Sequence, residues 1–271
     1  MRYVLGDTDA EHLRLVRQAR LLAPFAERLF RDAGIVAGMR VLDLGCGMGD
    51  VSMLVAQLVG PSGSVVGVDR ENAVLEKARQ RAKLAGLENI SFVQSDVAAL
   101  TPHERFDAAV GRFILMFLPD PVSVLKALGA LLRPGGIMAF QEASWTNQLA
   151  QTAHLPLRMA VSTLVRDTLA KGGARTDNEL SLYRDFQAAG LPPPRLHNEL
   201  LLADDPQTRR YLYDLFCTLR PKAAEYGLQP EAVGELDTLP QRLDDELRAE
   251  NSPATCLGLV GAHCRLQRAD R

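Results

Sequence analysis

The chain has 271 residues, with 31 Lys plus Arg against 33 Asp plus Glu and a formal net charge of -2. That length buries a sizeable core in one large domain or two small ones, and the near balance of charge argues against nucleic acid or an anionic membrane as the main partner. No apolar run reaches the roughly 18 residues that a membrane span needs, and the opening MRYVLGDTDA has no apolar signal core, so the expected location is the cytoplasm. Cys46, Cys217, Cys256 and Cys264 form no CxxC pair and the five histidines form no HxxxH motif, which points to reduced structural thiols and no metal centre.

From Asp9 to Ala33 the apolar residues Leu15, Ala19, Leu22, Ala26 and Leu29 recur at intervals of three and four. This predicts one helix, with Arg14 and Arg17 on its solvated face and a kink or restart at Pro24. RVLDLG then reads as a buried strand, VSMLVAQLV as a helix, PSGS as a turn and VVGVD as a second strand, which together make a βαβ unit. ENAVLEKARQRAKLAG predicts a helix closed by Gly86. Strands follow in ISFVQSD and FDAAVGRF, then a helix in PVSVLKALGALL, a turn in RPGG and a strand in IMAFQE. This alternation specifies a doubly wound α/β fold, a parallel sheet with helices on both faces. Beyond residue 145 the pattern is helical around 155–171 and again in TDNELSLYRDFQAAG, which has a capping-box start at Thr176 and Glu179. RLHNELLL predicts a strand, 204–250 polar helix, and ATCLGLVGAHCRL a final internal strand. Helical insertions of this length read as a lid over a pocket.

VLDLGCGMGD, residues 41–50, places Gly45, Gly47 and Gly49 in the first strand-to-helix turn, where a doubly wound sheet brings its ligand closest. Glycine there lets a bulky ligand touch main chain. Asp43, Asp69 and Asp96 end the first three strands. A carboxylate at the end of the second strand can accept from both hydroxyls of a ribose, so Asp69, with Arg70 beside it, is the expected ribose contact. The spacing GxGxG, with an acid two residues before the first glycine, differs from the GxGxxG of a nicotinamide fold. Asp43 is awkward beside a pyrophosphate and suits a ligand with an ammonium group, as an amino acid attached to adenosine has. Asp96 can accept from an adenine amino group while the Val97 amide donates to a ring nitrogen.

These residues resemble the class I S-adenosylmethionine-dependent methyltransferases, specifically the small-molecule group related to the ubiquinone and menaquinone biosynthesis methyltransferases. VLDLGCGMGD is similar to their first motif, VVGVD to their ribose-binding strand end and QSDV to their adenine-binding segment. FDAAVGRFILMFLPDP and LLRPGGIMAF are similar to their later motifs, and the resemblance covers residues 35–143. It implies S-adenosylmethionine as cofactor, with Asp43 helping to hold the ammonium group and the loop of Gly111, Arg112 and Phe113 facing the methionine moiety. It also implies a Rossmann-like seven-stranded sheet whose last strand, supplied by LGLVGAHCRL, is antiparallel. The expected organisation is an N-terminal helical cap over 1–34, a cofactor-binding core over 35–145, and helical lid segments with the last strands over 146–271.

The implied activity is methyl transfer to a small organic molecule, a specialised metabolite or quinone-like compound, with oxygen the first-choice acceptor atom and carbon or nitrogen next. A nucleic-acid or protein methyltransferase is one alternative, disfavoured by the lack of a basic appendage and of an NPPY-type sequence. A non-catalytic S-adenosylmethionine-binding module is another. In-line displacement at a sulfonium methyl needs a nucleophile held about 3 Å away with water excluded. Where the acceptor must lose a proton, Glu142, ending the fifth strand, and His154, opening a lid segment, are the candidate general bases. Tyr3, Phe113 and Trp145 are candidate aromatic contacts for the sulfonium or a flat acceptor, and Gln18 on the first helix is a candidate substrate contact.

Overall fold

The computed structural model describes residues 9–96 and 105–267. Tyr3 and Val97 lie outside the described residues. The chain folds into two compact units. The first comprises Ala143–Asn178, Asn198–Leu259 and the described residues up to Leu21; the second comprises Leu22–Glu142, Glu179–His197 and the described residues from Val260 onward.

Helix α1 (Asp9–Ala33) leads into β1 (Arg40–Leu44), α2 (Asp50–Val59), β2 (Ser64–Asp69), α3 (Asn72–Leu84), β3 (Ile90–Gln94) and β4 (Phe106–Arg112). Then come α4 (Pro121–Leu131), β5 (Leu132–Ser144), α5 (Trp145–Gln151), α6 (Pro156–Lys171) and α7 (Asn178–Ala188), followed by β6 (Arg195–Ala203), α8 (Pro206–Glu225), α9 (Leu239–Ala249) and β7 (Ala254–Arg265). Local chemistry sets several of these boundaries. Asp120 accepts from the Ser123 amide at 3.0 Å ahead of Pro121, and Asp205 accepts from the Gln207 and Thr208 amides at 2.9 and 3.1 Å ahead of Pro206. Each carboxylate satisfies helix donors that have no intrahelical partner, and proline fills the first position, where its missing N–H costs nothing.

The strands form one sheet in the order β3-β2-β1-β4-β5-β7-β6. The pairs β3/β2, β2/β1, β1/β4 and β4/β5 are all parallel. Strand β7 runs antiparallel to β5: Leu266 donates to the Gly136 carbonyl at 2.8 Å and Gly135 donates to the Gln267 carbonyl at 3.3 Å, while Ser144 at the far end of β5 lies against Gly258. In the second unit Leu42, Leu44, Met138 and Phe140 pack against Leu125, Leu128, Leu182 and Phe186 on one face of the sheet. On the other, Val41, Val110 and Ala139 pack against Leu29, Phe30 and Val55. Burial on both faces explains why these strands read as continuous apolar runs. The strand order reverses between β1 and β4, which puts the switch point, and the ligand crevice expected there, at the carboxyl ends of those two strands.

Three sequence expectations need correction. Helix α1 runs unbroken through Pro24, so no restart occurs. Arg14 is buried, not solvated: its guanidinium donates to both Glu11 carboxylate oxygens at 2.6 Å and to Gln18 Oε1 at 2.7 Å. RPGG is a bulge within β5, not a turn before it. The pairing with β4 jumps from Phe106↔Leu132 to Ala108↔Ile137, and Gly135 takes up the excess chain with a φ of 79°.

A Cβ added at Gly258 would sit 2.4 Å from the Ser144 carbonyl oxygen. Backbone on both sides leaves little room to yield, so Gly258→Ala is expected to destabilise the protein by about 1–3 kcal/mol. The check is the midpoint of chemical denaturation; a midpoint equal to that of the unsubstituted protein would contradict this register of β5 against β7.

Candidate cofactor-binding and active site

The glycine turn lies between β1 and α2 at the switch point. Gly45, Gly47 and Gly49 all have positive φ, at 62°, 51° and 81°. Two of them are packed: a Cβ at Gly45 would meet Ile114 at 2.5 Å, and one at Gly49 would meet Phe92 at 2.9 Å. Gly47 is different, since among the described residues nothing beyond its chain neighbours lies within 4 Å of where its Cβ would be. A left-handed glycine facing open space is a cradle for a ligand that touches main chain.

Asp43, one residue before the end of β1, is almost completely buried. Its Oδ2 accepts from the Ser52 hydroxyl at 2.6 Å, and its Oδ1 has no partner among the described residues. Burial pushes its pKa from the ordinary 3.8 up to about 7, opposed by the Ser52 hydrogen bond and the positive charge of Arg112 and reinforced by the charge of Asp69. Asp69 is half-buried at the end of β2. Its Oδ2 accepts from the Gly47 amide and its Oδ1 from the Glu71 amide, both at 3.0 Å, so the acid ties the two strand ends together and keeps lone pairs for a ribose. Arg70 and Asp96 are both exposed; the Arg70 carbonyl accepts from Gln94 Nε2 at 2.9 Å.

The loop after β4 completes this end of the sheet. Gly111 pairs with Phe140 and Arg112 with Gln141, and a Cβ at Gly111 would come within 2.8 Å of Ile114. Phe113 has a φ of 54°, a strained left-handed conformation for a residue with a side chain. Its amide donates to the Gln141 carbonyl at 2.9 Å, and the Arg112 guanidinium lies 6.0 Å from its ring centre. Glu142 holds the turn that follows. Its fully buried carboxylate accepts from the amides of Ile114 (3.2 Å), Leu115 (2.9 Å) and Met116 (3.4 Å). These are the orphan donors at the start of the short 3-10 turn Leu115–Phe117, so the geometry makes Glu142 a positioning residue and argues against the expected general base.

The remaining sequence candidates belong to the first unit. His154 is exposed, with Nε2 3.1 Å from Ser252 Oγ, the surroundings of a surface histidine. Gln18 is buried and its Oε1 accepts from Arg14 and, at 3.1 Å, from the Tyr211 hydroxyl. Trp145 is buried with its indole Nε1 unpartnered.

Three residues that matter here were not singled out from the sequence. Ser52, which holds Asp43, is a lone hydroxyl on the buried face of an apolar helix, and that contrast was a readable signal. Gln141 is a buried amide whose Oε1 has no partner among the described residues, next to the equally buried Glu142 in β5. Arg81 donates to the Met48 carbonyl and to Asp50, bracing the glycine turn from α3 by a long-range contact that no local pattern announces.

A glycine cradle, a buried acid with one unmet oxygen and a second acid at the next strand end define a nucleoside-type cofactor site on a doubly wound sheet. These groups fit S-adenosylmethionine in kind, since a buried acid can meet an ammonium group and a strand-end acid can accept from ribose hydroxyls. A family model described as a methyltransferase domain matches residues 35–181, and the chain belongs to that family, among the class I S-adenosylmethionine-dependent methyltransferases. Over 118 residues it is 38% identical to aklanonic acid methyltransferase DauC of Streptomyces sp. (strain C5), covering 43% of this chain and 54% of that protein. It is 34% identical over 119 residues to demethylmenaquinone methyltransferase of Staphylococcus aureus (strain JH9), covering 44% and 48%. The match thus spans about half the length of these curated relatives. The fold is shared with a SAM-dependent methyltransferase from Aquifex aeolicus (TM-score 0.53, 17% identity, 73% of this chain and 93% of that one). It is also shared with the [4+2]-cyclase SpnF (TM-score 0.55, 18% identity, 91% and 81%).

Two measurements probe this site. A folded-state pKa near 7 means that the ligand-free protein keeps a proton on Asp43 that the unfolded chain has lost above its ordinary 3.8. Stability from this group is therefore full below about pH 4 and falls as pH rises through about 7, a loss on the order of 3–5 kcal/mol. Asp43→Asn is expected to melt higher than the unsubstituted protein at pH 8 and to bind S-adenosylmethionine more weakly. In the unsubstituted protein, affinity is expected to climb as pH rises from about 5.5 to 7, because a cation needs the ionised acid, and Asp43→Asn is expected to lose that slope. Calorimetry across pH decides the point, and a slope that survives the substitution would remove Asp43 from the ammonium site.

Replacing Glu142 by Gln puts an N–H group against amides that need an acceptor. Glu142→Gln is expected to cost about 1–3 kcal/mol of stability and to lower turnover without removing an ionisation from the pH–rate profile. Unchanged stability together with loss of the low-pH limb, where a base is inactivated by protonation, would instead identify a proton acceptor.

Proposed function

We propose that this protein transfers the methyl group of S-adenosylmethionine to a small organic acceptor, a specialised or quinone-like aromatic metabolite, with oxygen the first-choice acceptor atom. The observation that supports the reading is the buried Asp43 with one oxygen unmet among the described residues, four residues before the open cradle at Gly47. The names of the two relatives, one acting on aklanonic acid and one on demethylmenaquinone, support an acceptor of this class. The shared fold of a cyclase is a reminder that the sheet alone does not fix the reaction.

The bound cofactor supplies a methyl group already activated by its positive sulfur. The protein's part is to bind, orient and exclude water. Asp43 and Asp69 fix the amino-acid and ribose ends, with Asp96 at the adenine end. Glu142 and the Gln141 carbonyl hold the Phe113 loop rigid, so the ring and the Arg112 charge keep one position. Trp145 and Gln18, with the segments 146–175 and 204–250, select the acceptor and close over it.

The test combines transfer with hydrogen exchange. Incubation with methyl-labelled S-adenosylmethionine and a panel of aromatic hydroxy acids, hydroxyquinones and amines is expected to yield a methylated product by mass spectrometry. Amides in 146–175 and 204–250 are expected to be weakly protected with cofactor alone and to gain protection with acceptor. Cofactor binding without transfer to any of the panel would favour a binding module, and segments as protected as the core in the absence of any ligand would be scaffold.

A further inference from the structure

The first unit contains a buried positive charge that the described residues satisfy only in part. Arg158, near the start of α6, is fully buried. Its Nη2 donates to the Thr255 carbonyl at 3.3 Å, whereas Nε and Nη1 meet no acceptor. The carboxylates that attract it are engaged elsewhere. Glu246 accepts from the backbone amides of Leu157 at 2.6 Å and Arg158 at 2.9 Å, and Asp244 lies 3.7 Å from Arg209. The neighbouring Cys256 thiol is pushed up to about 12 by burial and stays neutral. One helical turn on, and so on the same face of α6, the buried hydroxyl of Ser162 also lacks a partner.

A guanidinium taken out of water costs several kcal/mol unless its donors are met. Here Nε and Nη1, joined by the Ser162 hydroxyl, offer three donors with nothing to receive them. The planar fork of a guanidinium matches the two oxygens of a carboxylate. Helix α5, which packs on α6, adds the unmet indole N–H of Trp145 and the unmet amide oxygen of Gln148. The indole of Trp145 thus belongs to the same unit as the charge.

We propose that Arg158, with Ser162, is a carboxylate anchor for the methyl acceptor, which is then an aromatic acid. The anchor rests on the reading of the first unit as the acceptor-selecting one.

The probe is 2-naphthoate, titrated by calorimetry into the full chain with and without S-adenosylhomocysteine and compared with its neutral methyl ester. Naphthoate is expected to bind and the ester to bind at least about tenfold more weakly. Arg158→Met is expected to lose about tenfold or more in naphthoate affinity, to keep its S-adenosylhomocysteine affinity, and to melt no lower than the unsubstituted protein because an unpaired buried charge has gone. Arg158→Lys, which keeps the charge but not the fork, and Ser162→Ala are expected to give smaller losses, and they decide the matter if Arg158→Met does not fold. The proposal is overturned by absence of naphthoate binding, by equal binding of acid and ester, or by undiminished naphthoate affinity in the folded Arg158 variants. A chain that fails to bind S-adenosylhomocysteine would overturn the methyltransferase reading instead, while the naphthoate series on protein alone would still decide the anchor.

Discussion

The cofactor end of the sheet depends on one interaction, the hydrogen bond from Ser52 to the buried carboxylate of Asp43. It fixes one oxygen and leaves the other unmet among the described residues, so the acid is held in place with one oxygen kept for a ligand. Everything around it follows from keeping that arrangement. The turn after β1 must pass close without side chains, which is why Gly45 and Gly49 are packed against Ile114 and Phe92 while Gly47 stays open. Asp69 then bonds the Gly47 amide, joining the ends of the first two strands, and Arg81 clamps the start of α2 through Met48 and Asp50. Burial alone would drive Asp43 to take up a proton, and a cation bound at its vacant oxygen relieves that cost.

The fold was legible where its signals were local. VLDLG, VVGVD and FDAAVG appear as strands because residues buried on both faces need no alternation, and their helices announce themselves by apolar spacing. Asp43, Asp69 and the glycines were legible for a related reason, since a strand-end turn concentrates its chemistry within ten residues. The failures share the opposite cause. Arg14 reads as solvated because its bonds to Glu11 and Gln18 run along its own helix, while the Tyr211 hydroxyl that meets Gln18 arrives from 193 residues away and only in the folded state. RPGG reads as a turn because Pro and Gly signal one, yet the β4 register absorbs the same residues as a bulge.

Glu142 shows how residue type alone misleads at a strand end. An acid in that position fits the profile of a general base, and the same acid equally suits three backbone donors left by a tight turn. Position in sequence does not separate the two, because the donors come from 26 to 28 residues upstream. The structure separates them through partner identity. A carboxylate that accepts three backbone amides is committed to holding the turn that follows Phe113.

Asp43 and Arg158 are alike in kind and opposite in sign. Each is a buried ionisable group, each has strong hydrogen-bonding capacity that the protein leaves unused, and each belongs to a different compact unit. Ordinary cores avoid such groups because a hydrophobic residue of the same volume is as stable or more so. What a half-satisfied charge offers in return is discrimination, since a ligand of the wrong charge leaves the desolvation cost in place and one of the right charge removes it. The same desolvation that weakens the ligand-free chain then appears as binding selectivity: a cation for the second unit, an anion for the first. Stability and recognition are linked through these two side chains, so ligands that complement them should also be the ones that raise the melting temperature most.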